Sequence, residues 1–106
     1  MTIMNKIFYI TSKNNVEAKH IVKSLLKNKL IACANIVKNI DSYFIWKQNL
    51  SFSKEVLIVG KTLSNKENKI IKEVKRLHSY DNPCVLFIKI SSGNKNFLKW
   101  IKNSLK

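Results

Sequence analysis

A chain of 106 residues, 45% of them hydrophobic and 25% charged, has the size and composition of one globular domain spanning 1–106, and excludes a disordered tail or a fibrous repeat. No apolar stretch approaches the roughly 18 residues that a membrane span needs, and Ile7-Phe8-Tyr9-Ile10 is too short for a secretory signal core, so no membrane partner is expected. The net charge of +14 makes nucleic acid the first partner to weigh, but the lysines run through every segment and Arg76 is the only arginine, so no specific nucleic-acid surface is read here.

In chain order, Lys6-Ile7-Phe8-Tyr9-Ile10-Thr11 is a short β-branched and aromatic run that predicts a buried central strand. Asn14 or Asn15 then caps a helix whose apolar positions are Val16, Ala18, Ile21, Val22, Leu25 and Leu26, ending near Lys29. Leu30 to Trp46 is free of Gly and Pro and predicts a strand, Lys47-Gln48-Asn49 a turn, and Ser51 to Thr62 the returning strand. A strand from Leu30 to Trp46 would extend roughly 55 Å, far beyond a domain of this length, so it must bend or project onto a neighbour. A long exposed edge of this kind invites pairing and points to self-association.

Ser64-Asn65-Lys66-Glu67 has capping-box spacing and leads into a second amphipathic helix carrying Ile70, Ile71, Val74 and Leu77 and ending near His78. Asn82-Pro83 forces an extended restart, Cys84 to Ile90 predicts another buried strand, and a short terminal helix after Gly93-Asn94 carries Phe97, Leu98, Ile101 and Leu105. The order βαββαβα folds most simply as an α+β, ferredoxin-like sandwich: an antiparallel sheet with helices on one face and a long β2-β3 hairpin.

Phosphate-cradling glycine loops, the Gly-x-Ser-x-Gly elbow and paired Cys-x-x-Cys are all absent from the sequence, and the six acidic residues are scattered, so no enzyme activity is expected. The metal-capable side chains are Cys33 in the long strand, Glu55 on its hairpin partner and His78 at the end of the second helix; thiolate, imidazole and carboxylate together suit copper or zinc. Cys33 and Cys84 read as reduced thiols in a cytoplasmic setting. Tyr43, Phe44, Trp46 and Phe52 cluster about the hairpin tip as core or subunit-contact residues.

Leu30-Ile31-Ala32-Cys33-Ala34-Asn35-Ile36, Ser42-Tyr43-Phe44-Ile45-Trp46, Glu55-Val56, Lys61-Thr62, His78-Ser79-Tyr80-Asp81-Asn82-Pro83 and Gly93 to Ile101 together resemble, in order and over nearly the whole chain, the CutA divalent-ion tolerance proteins. The resemblance implies a ferredoxin-like fold, a homotrimer built through the long hairpin strands, and a non-enzymatic role in tolerance of copper and other divalent cations. By position it implies Cys33, His78 and Glu55 as the metal-linked residues. Ser79 stands where the family usually has proline, and Ile10 where some members have a further cysteine. Gln48 stands where the turn usually has glycine, which predicts a turn shifted to place Asn49 in left-handed geometry. The alternative from another class is a trimeric signalling or scaffold module that binds a small anion or a partner protein in intersubunit clefts.

Overall fold

Alternation of side chains organises the first strand, where Phe8, Ile10 and Ser12 are buried while Ile7, Tyr9 and Thr11 point the other way. The computed structural model describes residues 2–106, with elements β1 (Asn5–Ser12), α1 (Asn15–Lys27), β2 (Cys33–Trp46), β3 (Asn49–Leu63), α2 (Glu67–Leu77), β4 (Val85–Lys89) and α3 (Lys95–Ser104). The strands form one antiparallel sheet in the order β2-β3-β1-β4, the ferredoxin-like arrangement expected.

The even-numbered residues Phe8, Ile10, Val56 and Ile58 meet Ala18, Ile21 and Leu25 of α1 and Ile70 and Val74 of α2 in one core. Each fully buried Ile or Leu of that kind stabilises the fold by roughly 1.5–3 kcal/mol. Gly60 lets the Phe8 ring approach β3 closely; a Cβ there would fall 2.1 Å from the Cys33 carbonyl oxygen and 2.4 Å from the ring. Thr62, wholly buried, donates its hydroxyl hydrogen to the Leu30 carbonyl at 2.7 Å and ties the strand to the end of the α1 loop.

Residues paired directly across an antiparallel ladder share a face. Leu57 opposite Val37, Tyr9 opposite Leu86 and Ile7 opposite Ile88 therefore form an apolar second face. α3 closes one end of it, where Ile101 and Leu105 bury Leu63. The remainder is uncovered, with Val37 44%, Leu86 57% and Ile88 52% exposed, so β4 is half-buried through Val85 and Phe87 on one side and open on the other, not buried on both as its apolar run predicts.

β1 pairs with β3 only from Val56 to Leu63; from Asn49 to Glu55, β3 pairs with β2 alone and the hairpin projects beyond the sheet. The expected bend is a register shift between Val37 and Ile40, with Asn39 at φ 60°. β2 begins at Cys33 and not at Leu30, because Leu30 and Ile31 are packed beneath the helices in a connection that starts from left-handed Lys29. The turn uses Lys47 at φ 48° and Gln48 at φ 68°, whereas Asn49 is already paired with Trp46. Asn14 caps α1 by accepting from the Glu17 N–H, but Val16 and Leu26 lie on its solvent side. The Ser64 box does not form: its hydroxyl accepts from the Met4 N–H at 2.9 Å, and Glu67 turns to Lys6 at 3.3 Å.

Candidate functional site

His78 caps the C-terminus of α2, and its side chain is wholly buried. Nε2 donates to the Thr11 carbonyl at 2.7 Å, and Nδ1 accepts from the Tyr80 N–H at 3.0 Å, which assigns the tautomer protonated on Nε2. Both ring nitrogens are thus engaged, and service as a metal ligand requires one of these bonds to open.

Beside it, Glu17 gathers three donors from two segments, the end of β1 and the loop after α2. Oε1 accepts from the Ser12 hydroxyl at 2.6 Å and the Lys13 N–H at 3.2 Å, and Oε2 accepts from the Ser79 N–H at 2.9 Å. His78 Nδ1 lies 3.9 Å from Oε1. Burial pushes the Glu17 carboxyl upward, but the Ser12 and Ser79 donors and the Lys13 amide outweigh it and hold it down to about 2.

The Tyr80 ring leans on the His78 ring with centroids 4.7 Å apart, and its hydroxyl donates to Glu55 Oε2 at 2.8 Å. Burial, then the Glu55 carboxylate, push the Tyr80 phenol up to about 12. Burial and the same carboxylate also push the Cys84 thiol up, away from the thiolate that soft metals bind. Glu55, Tyr80 and Cys84 line a groove of about 770 Å³ that opens toward Phe44 and Trp46 of the hairpin. Asp81 and Glu55 are its charged residues; the lining contains no Lys, Arg or His.

Cys33 lies elsewhere in the protomer. It pairs with Lys61, six positions along β3 from Glu55, which places the two about 20 Å apart at roughly 3.3 Å per residue. Among the described residues no group of three or more His, Cys, Asp and Glu side chains stands ready to hold a metal ion.

Comparison with known proteins decides the family. The CutA1 divalent ion tolerance protein family matches residues 6–104. The chain belongs to the CutA1 divalent ion tolerance family. It is 40% identical to the divalent-cation tolerance protein CutA of Archaeoglobus fulgidus, over 96% of this chain and 99% of that one. It is 31% identical to the protein of the same name from Thermus thermophilus, over 95% of this chain and 98% of that one. The crystal structure of CutA1 from Oryza sativa superposes with a TM-score of 0.94 at 33% identity, over 99% of this chain and 96% of that one.

Of the three metal-linked residues that the CutA resemblance suggests, the fold brings Glu55 and His78 together through Tyr80 and leaves Cys33 on a distant part of the sheet. Sequence reasoning passes over Glu17, Tyr80 and Cys84 as functional positions in this CutA1 chain. Glu17 and Ser79 stand 62 positions apart, and no local periodicity joins them. The available signal is the crowding of polar types in His78-Ser79-Tyr80-Asp81-Asn82 just before Pro83 compels the chain to restart as a strand.

Proposed function

We propose that this chain is a non-enzymatic divalent-cation tolerance protein that assembles as a homotrimer and binds copper or a related divalent ion at Glu55, His78 and Cys33. Membership of the CutA1 family supports the divalent-cation part. The assembly rests on a single observation: the projecting hairpin is apolar on both faces, with Tyr43 and Ile45 on one side and Phe44 and Trp46 on the other, all exposed in the lone protomer. Such a hairpin is stable when a second copy covers it, and the open sheet face with Leu86 and Ile88 supplies a continuous surface to pack against.

Since Cys33 and Glu55 of one protomer are about 20 Å apart, a site containing both draws its Cys33 from a neighbouring subunit. Light scattering on the intact protein is expected to give three times 12.3 kDa, and Val37→Glu with Ile88→Glu to reduce it to one. Calorimetric titration with Cu²⁺ is expected to weaken for both Cys33→Ala and His78→Ala; isotherms identical to the parent would remove those residues from the site. The two unpaired cysteines support a cytoplasmic, reducing setting, although the Archaeoglobus fulgidus relative of known structure is described as periplasmic. A small anion in the Glu55 groove is disfavoured, because the groove presents two carboxylates and no cation.

A further inference from the structure

The fold gathers charge that the sequence disperses. Two adjoining grooves, of about 360 and 770 Å³, run between α1 and α2 and share Asn28, Glu73 and Arg76. Lys23 and Lys27, four positions apart, stand along the α1 wall, while Lys69, Lys72 and Lys75, three apart, stand along the α2 wall. None of these lysines forms an ion pair among the described residues.

The one acid in the grooves is neutralised locally. Arg76 Nε and Nη2 donate to Glu73 at 2.9 and 2.8 Å, Ser24 donates to the same carboxylate, and the guanidinium holds that carboxyl down to about 2. The remaining acids lie away from the grooves, with Glu17, Glu55 and Asp81 around His78 and Tyr80, Asp41 on the hairpin and Glu67 on Lys6. Free positive charge therefore runs along both walls without a compensating anion.

We propose that this α1/α2 groove docks the phosphate backbone of duplex nucleic acid, without sequence preference. The lining has no Phe, Tyr or Trp, and the single His20 imidazole is no platform for successive unpaired bases, which favours a duplex over a single strand. It carries one arginine, already engaged by Glu73, so base-edge recognition has no free fork. A membrane surface calls for apolar side chains beside the lysines, and the lining supplies only Leu30 and Leu77, of which Leu30 is buried. The groove lies on the helix layer, opposite the apolar sheet face, so the proposal is independent of assembly and of metal binding.

The test is fluorescence anisotropy of a labelled DNA duplex against the full-length protein over a salt series. Five unpaired lysines predict a log-log salt slope of about −4 to −5. Lys23→Glu with Lys72→Glu is expected to weaken binding at least about tenfold, while Lys95→Glu with Lys99→Glu on α3, the same change in net charge, costs less than about threefold. Equal losses for the two pairs would show that total charge alone is at work and would overturn the groove. So would absence of binding at about 50 mM salt, or retention on phosphatidylserine vesicles that excess duplex does not displace.

Discussion

The Tyr80 hydroxyl donates a 2.8 Å hydrogen bond to Oε2 of Glu55, fastening the loop before β4 to the root of the projecting hairpin. Burial and that carboxylate disfavour the phenolate, so Tyr80 ionises near 12. The proton is held more tightly in the folded state, and the corresponding stability is complete below about pH 10, the unfolded value, and disappears as pH rises toward 12. Absorbance titration of the tyrosines is expected to show one late ionisation. Glu55→Gln should move it earlier without returning it fully to the ordinary value, since burial is the larger cause. A late step unchanged in that variant would refute the Glu55 contribution.

Glu17 contributes with the opposite sign. Its carboxyl sits at about 2 in the folded chain against an ordinary value of 4.5, so its stabilisation is present above about pH 4.5 and is lost as pH falls toward 2. The side chain is 9% exposed, and with solvent screening allowed for, Glu17→Gln is expected to lose about 2 kcal/mol at pH 7. Urea unfolding from pH 7 to pH 2.5 should show a flatter acid decline in the variant than in the parent. Parallel declines would mean that the donors from Ser12, Lys13 and Ser79 are not what stabilises the carboxylate.

The contrast between Glu17 and Ile10 explains how much of this molecule is readable from sequence. Ile10 and Phe8 declare themselves by alternation, and Ile21 and Leu25 by helical spacing, because burial on one face is a local periodic property. Val16 and Leu26 fit an apolar helix pattern yet face solvent, as local pattern does not state the width of the stripe that the sheet covers. Ser64 has the right residue types for a capping box, but the backbone of Met4 competes for its hydroxyl, a partner 60 positions away. Glu55 and His78 are recognisable as ligand-capable types, whereas their juxtaposition through Tyr80, and the distance of Cys33 from both, follow from strand register and loop path.

Gly60 and Gly93 should respond in opposite ways to a single added methyl group. At Gly60 the methyl would meet the Cys33 carbonyl at 2.1 Å and the Phe8 ring at 2.4 Å, and neither the paired strand nor the buried ring can withdraw. Gly60→Ala is therefore expected to lose about 3 kcal/mol or more, or to fail to accumulate as folded protein. At Gly93 the nearest atom would be a Leu98 methyl carbon at 3.6 Å, an ordinary contact, and φ is not positive. Gly93→Ala should match the parent within about 0.5 kcal/mol in urea unfolding. Equal behaviour of the two variants would contradict the close approach of Phe8 to β3.

The hairpin turn offers a gain in stability. Lys47 and Gln48 form a two-residue connection in which both have positive φ, the geometry that Asn-Gly sequences favour. A side chain with a Cβ pays roughly 1 kcal/mol to sit in the left-handed region, and glycine does not. Gln48→Gly is therefore expected to raise the urea midpoint by an amount equivalent to about 0.5–1 kcal/mol with no change in slope. Asn49→Gly should not, because Asn49 already lies in β3 opposite Trp46, where glycine would add only chain entropy to the unfolded state, and its side chain donates to the Lys47 carbonyl at 3.3 Å. A stabilising Asn49→Gly paired with a neutral Gln48→Gly would mean that the left-handed positions fall one residue later than Lys47 and Gln48.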